Sequence, residues 1–563
     1  MQPRSDAVLT LRPETELMRL ERLGALQPTM LSFAQSFLDR ANRESWRVER
    51  TRFALDDQGA GVASYRVSPP GELFFTVVLY SYPPAGDGRT DRIIGSAWDA
   101  TATLVEGDLD AQQLREQEEE LLRLYEGRAT PETLIWARAQ RSMRAFELVV
   151  DALARGEQPP VEILATTGYL MRNTGMDGNG TFGTKTFAAY GDEHPLGSPY
   201  HAQMLMAYVV RQFGFDLADH IAAARGGAGA STLSPELRRY LGIGNASGLG
   251  LMFYVNNHAD FLDRWLTERE ERLALAQQLA LGPGSELEPF LLDRLERCAL
   301  DRDADRTRDP GMSVPPGRQV ASELRRVVEH VRTEQPRAVG DLTTWMSGAG
   351  ITAETEEVVN AALVDAVCRT EPRPGPLVGN APRAWDPLLT VGQVRELVTS
   401  RYGWALELAD AGLDPYFAWY KSETAEEPRR GPLTSLPSPR YDLTLDLPAE
   451  LAAFREAATG WAAADPIGEF LLAHPGMRAT LERVVADSER RYHTVIADQR
   501  SRTLHAPHVI RLVNCAFFGI SKTREQGPLG TVGVILLGAP SPADLGTPDG
   551  AWEPPVEISE RNS

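Results

Sequence analysis

The sequence predicts an α+β protein: a predominantly helical core with a small antiparallel N-terminal sheet and a C-terminal β-hairpin. Three observations point there. ASYRV, ELFFTVVLYSY and ATATLVEG, early in the chain, are rich in β-branched and aromatic residues and are separated by Pro, Gly and Asp clusters. Apolar residues then recur at helical spacing through most of residues 200–412. Near the C-terminus, HVIRLVNCAFFGI and TVGVILLGA bracket a turn containing EQGPLG, which reads as a hairpin with a long loop.

Taken in order, residues 14–45 predict one or two helices, from the apolar spacing of LMRLERLGAL and MLSFAQSFL. The three strands follow. Thr130-Pro131-Glu132 supplies an N-cap residue, a proline for the first helical position and an acid for the positive end of the dipole. A helix is therefore expected to run to about Arg155. Pro159-Pro160 opens another segment, VEILATTGYLM, which ends in a glycine-rich stretch. Helices are expected over 200–225, 249–282, 285–302, 317–334, 354–370 and 391–412. YDLTLDL alternates like a short strand, and helices follow around 448–462 and 477–500.

The polar, proline-bearing stretches 301–318 and 370–387 read as linkers. The predicted organisation is an N-terminal α+β region (1–158), a helical core with glycine-rich loops (159–385), a C-terminal helical region with the hairpin (386–540) and a loose tail (541–563). A chain of 563 residues exceeds one simple core. No internal repeat or sustained heptad is present.

The hydrophobic content of 42% and charged content of 24% are those of a soluble globular protein. The net charge is −20, and arginines alternate with acids in stretches such as REQEEELLRLYEGR and DRLERCALDRDADRTRD. No basic stripe emerges, which disfavours nucleic acid and anionic membranes as partners. No run approaches the roughly 18 apolar residues of a membrane helix. The N-terminus lacks the apolar core of a signal peptide. Cys298, Cys368 and Cys515 are odd in number and far apart, so reduced, buried thiols in a cytoplasm are expected. The arginine-rich composition resembles that of bacterial proteins. A homo-oligomer is compatible with the sequence.

Only three residues, Lys185, Lys421 and Lys522, are lysine, against 55 arginines. Lysine can lose its proton and act as base or nucleophile, which arginine cannot. All three lie in the least generic stretches of the chain. Lys185 closes Arg172-Asn173-Thr174-Gly175-Met176-Asp177-Gly178-Asn179-Gly180-Thr181-Phe182-Gly183-Thr184-Lys185. Glycines there free successive amides to face one point as an anion nest, with Arg172 and Lys185 adding positive charge at its ends. Gly178-x-Gly180-x-x-Gly183 matches the dinucleotide fingerprint as a string, but no clear strand is expected before it and no convincing helix opens from it. The P-loop is excluded because Thr184 separates Gly183 from Lys185.

A second glycine segment, Gly242-Ile243-Gly244-Asn245-Ala246-Ser247-Gly248-Leu249-Gly250, leads into an expected helix bearing Asn256, Asn257 and His258. Asn245, Ser247 and Asn257 are candidate ligand contacts there, and His258 a candidate acid or base. A third segment is Phe417-Ala418-Trp419-Tyr420-Lys421-Ser422-Glu423, continuing to Arg429-Arg430. It joins an aromatic wall to a lysine, acids and two arginines able to clamp a carboxylate or phosphate. Lys522 reads as a hairpin-loop residue, and His505-x-x-His508 is a weak metal signal.

The chain has no GxSxG elbow, no HExxH, no SxxK ending in one of the three lysines and no EF-hand loop. The expectation is an enzyme acting on a small anionic metabolite, carrying a carboxylate or phosphate, by acid–base chemistry. Lys185, Lys421 and His258 are its candidate catalytic groups. Arg172, Asn173, Asp177, Asn179, Asn245, Ser247, Asn257, Trp419, Tyr420, Glu423, Arg429 and Arg430 are its candidate binding groups. Lyase, isomerase and transferase chemistry stay open, no cofactor is specified, and a non-catalytic ligand-binding or assembly protein is the alternative.

Overall fold

The computed structural model describes residues 9–17, 20–83, 98–124, 133–177, 194–197, 201–245, 259–304, 315–370, 386, 388–411, 418–421, 428–431, 447–488, 490–492, 512, 514–519, 523–525, 531–538, 554 and 556–558. The chain divides into two compact units. The first joins Met1–Leu31 to Leu251–Ala516, and the second joins Ser32–Gly250 to Phe517–Ser563.

The first unit is largely helical. An N-terminal arm carries α1 (Glu14–Leu17) and α2 (Leu20–Ala25). One core is built by α9 (Ala259–Ala276), α10 (Leu287–Ala304), α11 (Gly317–Glu334), α12 (Val339–Gly348) and α13 (Ala353–Thr370). In α11, Val320, Leu324, Val327 and Val331 form one buried stripe, the spacing of a helix with a single apolar face. A separate core is built by α14 (Val391–Arg401), α15 (Gly403–Asp410), α16 (Leu447–Ala457), α17 (Ile467–Ala473) and α18 (Arg478–Ser488). Thr390 caps α14 reciprocally: its hydroxyl accepts from the Gln393 amide, and Gln393 accepts from the Thr390 amide. The expected linker 370–387 falls between the two cores, almost wholly outside the described residues. Strands β8 (Ala418–Lys421) and β9 (Pro428–Gly431) pair as a short antiparallel ribbon. Residues 441–446 of YDLTLDL lie outside the described residues, and its last residue, Leu447, opens α16.

The second unit corrects the predicted fold class. In place of a small N-terminal sheet and a separate C-terminal hairpin, the described strands form one ten-stranded mixed sheet, ordered β10-β11-β7-β6-β5-β4-β3-β2-β1-β12. β1 (Arg47–Leu55), β2 (Gly61–Ser68), β3 (Phe75–Ser81), β4 (Ala100–Glu106) and β5 (Thr133–Arg141) form an antiparallel meander. β6 (Tyr169–Asp177) pairs antiparallel with β5 and parallel with β7 (Gly242–Asn245). β10 (Thr523–Glu525) and β11 (Thr531–Ile535) extend that side antiparallel, and β12 (Val556–Ile558) adds a parallel edge beside β1.

Local signals and long-range pairing compete in three places. Thr133–Arg141 was expected to be helical from the Thr130-Pro131-Glu132 start signal. Ile135, Ala137 and Ala139 alternate there with Trp136, Arg138 and Gln140, and both faces are covered, so the period is two. The helix α5 (Phe146–Ala154) begins only afterwards. VEILATTGYLM splits into α6 (Val161–Thr167) and β6 at Gly168, whose φ of 76° turns the chain out of the helix. The hairpin's first strand is Thr523–Glu525. The apolar run before it is consumed by a π-helical turn at Asn514–Phe518, with Cys515, Phe517 and Phe518 buried. Residues 556–558, expected in the loose tail, form β12.

Parallel β6 and β7 need a crossover, and α7 (His201–Gly226) with α8 (Pro235–Tyr240) provides it. α7 is buried continuously from His201 to Ala218. A methyl at its Gly214 would lie 2.9 Å from Met171 Cγ, which fixes how closely α7 approaches β6. α7 covers one sheet face, where Phe53 packs against Phe213 and the Tyr65 hydroxyl donates to Asp216. On the other face, α4 (Ala111–Leu124) sets Leu121 against Val62, Val78 and Trp136. α3 (Phe33–Arg43), capped by the Ser32 hydroxyl, completes the unit's described helices.

Candidate functional site

The parallel pair places the two glycine-rich segments together. β6 and β7 end at the same edge of the sheet. The chain leaves β6 at Asp177 straight into Gly178-Asn179-Gly180, and leaves β7 at Asn245 straight into Ala246-Ser247-Gly248. Asn173 and Asn245 are in-register partners on the adjacent strands. Gly533 of β11 pairs with Asn245, so the β10–β11 turn segment, Gln526-Gly527-Pro528-Leu529-Gly530, starts from the same edge. In open α/β sheets, ligands bind in the crevice outside the carboxyl ends of the strands. β6 pairs antiparallel with β5 and parallel with β7.

A strand does therefore precede the glycine string, against expectation. Gly180 and Gly183, and the residues where the fingerprint's helix would open, lie outside the described residues. Gly242 and Gly244 were expected to belong to a ligand loop. They are strand residues whose missing side chains permit sheet packing. A Cβ at Gly242 would lie 2.3 Å from the Ile535 carbonyl oxygen, and one at Gly244 would lie 2.8 Å from Arg172 Cβ.

Arg172 and Asn173 are consecutive in β6 and fall on opposite faces of the sheet. Arg172 shares a face with Gln140, whose side-chain oxygen accepts from Arg172 Nε at 3.2 Å. On the same face, the Arg138 guanidinium lies over both Trp98 (4.9 Å) and Trp136 (4.8 Å). Asn173 is on the α7 face, is 2% exposed, and its Oδ1 has no hydrogen-bond partner among the described residues. A buried, unsatisfied amide oxygen is costly and asks for a donor.

Sequence reasoning missed two histidines: His194, beside the end of β4, and His201, at the start of α7. His194 Nδ1 accepts from the Leu196 amide at 3.1 Å, so the neutral ring carries its proton on Nε2. Nε2 lies 3.8 Å from Glu106 Oε2, at the end of β4, and the ring meets Phe75 edge-on at 5.8 Å. Burial pushes the His194 pKa below its ordinary value, outweighing the opposing pull of Glu106. Glu106 ends β4 and Asp177 ends β6, two strands away in the sheet. His201, the first residue of α7, is buried against Phe37, with Nδ1 3.2 Å from the Pro195 carbonyl oxygen. Burial lowers its pKa to about 4. No motif marks either histidine in the sequence. Only the proximity of His194 to the end of β4 singles it out.

Lys185, Asn179, Ser247, Asn257, His258, Glu423 and Lys522 lie outside the described residues, as do His505 and His508. Trp419, Tyr420 and Lys421 are in β8, and Arg429 and Arg430 in β9, all in the first unit. Trp419 pairs with Arg430 and Tyr420 with Arg429 in the ribbon. All three cysteines are free thiols. Cys515 donates to the Leu26 carbonyl, and burial pushes the Cys298 thiol up. Among the described residues no group of three His, Cys, Asp or Glu could hold a metal ion, and no helix is long and apolar enough to cross a membrane.

Compared with known proteins, the chain matches no family model, no curated protein and no solved structure.

Proposed function

We propose that the chain binds a small carboxylate- or phosphate-bearing metabolite at the carboxyl-end edge of β6 and β7 and carries out acid–base chemistry on it. One observation carries this reading: two glycine-rich segments, far apart in sequence, continue from the adjacent carboxyl ends of the parallel strands β6 and β7. Glycine-rich chain at such an edge can turn amide N–H groups toward an anion. Lys185 follows the first segment and offers a compact, titratable cation. Asp177, Glu106 and His194 are the proton-transfer candidates, and the lowered pKa keeps His194 neutral near pH 7, ready to accept or relay a proton.

The test is calorimetric titration of the full chain with inorganic phosphate, pyrophosphate and citrate. At least one is expected to bind, with affinity weakened about tenfold or more by Lys185→Ala and by Asn245→Asp, as expected for loss of a charge contact or gain of a like charge. Lys185→Arg is expected to retain binding and lose turnover once a substrate is found. Failure of all three anions to bind, or indifference of binding to both substitutions, contradicts the proposal.

A further inference from the structure

In the first unit the N-terminal arm ends in a closed ring of four charges. Arg12 grips Glu270 with two parallel bonds, Nε to Oε2 at 2.7 Å and Nη2 to Oε1 at 2.8 Å, and reaches Glu357 Oε1 with Nη1 at 2.6 Å. Arg269 closes the ring from the opposite side, with Nη1 to Glu270 Oε1 at 2.8 Å and Nη2 to Glu357 Oε2 at 2.6 Å. Arg22 pairs with Glu356 and lies 3.4 Å from Glu357, and Asn360 Nδ2 donates to Glu357 Oε1 at 3.3 Å.

The members differ in burial. Arg269, Glu270 and Glu357 have side chains 0%, 1% and 0% exposed, whereas Arg12 keeps 16%. Residues 9–13 have no helix or strand. The backbone there is held by Tyr492, whose hydroxyl donates to the Arg12 carbonyl, and by Arg491, which donates to that of Leu11. The guanidinium adds three charge-assisted bonds to these two backbone ones. The wall of the site also keeps a spare donor: Arg269 Nε is buried with no hydrogen-bond partner among the described residues.

We infer that Glu270 and Glu357, backed by Arg269, form a guanidinium-binding site that Arg12 fills in cis, so that the N-terminal arm is a releasable latch. The donor pattern specifies the ligand class. Two carboxylates presented edge-on accept a planar fork, which arginine supplies and an ammonium does not. With Arg12 withdrawn, the two buried carboxylates keep Arg269, and Glu357 also the more distant Arg22, but Glu270 loses its bidentate partner, which is unfavourable until another guanidinium group enters. The competing ligand is therefore a guanidinium compound or an arginine side chain from another segment.

The test uses the full chain with methylguanidinium chloride as probe and methylammonium chloride at equal ionic strength as control, both in the low millimolar range. Arg12→Gly is expected to lower the unfolding temperature, with most of the loss restored by methylguanidinium and none by methylammonium. Adding Glu270→Gln to Arg12→Gly is expected to abolish the rescue. In the wild-type protein, methylguanidinium alone is expected to speed amide exchange in residues 9–17 by about tenfold, as for release of a locally folded segment. This second measurement stands even where Arg12→Gly does not fold. Absence of rescue, rescue by both cations, or unchanged exchange in the wild type overturns the inference and leaves the ring a fixed structural cluster.

Discussion

The two units bury charge in different ways. In the first, signs alternate around a ring: Arg12, Glu270, Arg269, Glu357. In the second, a single carboxylate on α7, Asp216, collects the Tyr65 hydroxyl at 2.8 Å, Arg50 at 3.2 Å and Arg238 at 3.3 Å, while Arg238 passes on to Asp219. The consequences for protonation differ in sign. Burial pushes the Glu357 carboxyl up, but the Arg12 and Arg269 guanidinia outweigh it and hold it well below the usual range. At Asp219 burial wins over Arg238, and the pKa is raised. Burial also drives Tyr65 well up, reinforced by Asp216. Both networks rest on arginine forks meeting carboxylates, which gives a structural use to the arginine-rich composition.

The comparison can be broken or sharpened by substitution. The largest effect is expected from Arg269→Met, which leaves two buried carboxylates sharing Arg12, with Arg22 reaching only Glu357; the cost is about 3–5 kcal/mol, read from the urea midpoint. Next is the pH dependence set by His201. Its folded pKa of about 4 lies below the unfolded value near 6.5, so the unfolded chain binds the extra proton. Stability contributed by the neutral ring is complete above pH 6.5 and is lost as pH falls toward 4, to a total of about 3 kcal/mol. His201→Gln is expected to flatten that slope. A depressed carboxyl such as Glu357 acts at lower pH: its contribution is present above the unfolded value near 4.5 and disappears as pH falls through the folded one.

Asp216→Asn should be milder than Arg269→Met, about 1.5–3 kcal/mol, because the amide still accepts from Tyr65 and Asp219 still pairs with Arg238. Equal losses for the two substitutions would erase the distinction between a closed ring and a collecting carboxylate. Asp410→Asn is the smallest: its pair with Arg455 is exposed, and the thermal unfolding midpoint should not move.

Much of the architecture was readable where the signal is local. α7, α11 and α13 follow from apolar spacing within a residue or so of their observed ends, and β2, β3 and β4 from β-branched runs. The single large sheet was not readable, because it depends on pairings such as Asn173 with Asn245 and Asn245 with Gly533, which no local pattern encodes. β7 has four residues, two of them glycine, and so reads as a loop until its partners are in place. β5 was hidden behind a helix start signal at residues 130–132. The glycine segments and their asparagines were visible as candidates from composition, but their shared edge was not. His194 and Glu106 gave no signal, being isolated in sequence and paired only in space.

Hydrogen–deuterium exchange of the full chain with and without inorganic pyrophosphate tests the central claim most directly. The account expects slower exchange in peptides covering residues 170–186 and 242–250 together, with the β8–β9 ribbon unchanged. Protection of neither segment, or protection confined to the β8–β9 ribbon, would contradict a ligand site at the carboxyl ends of β6 and β7.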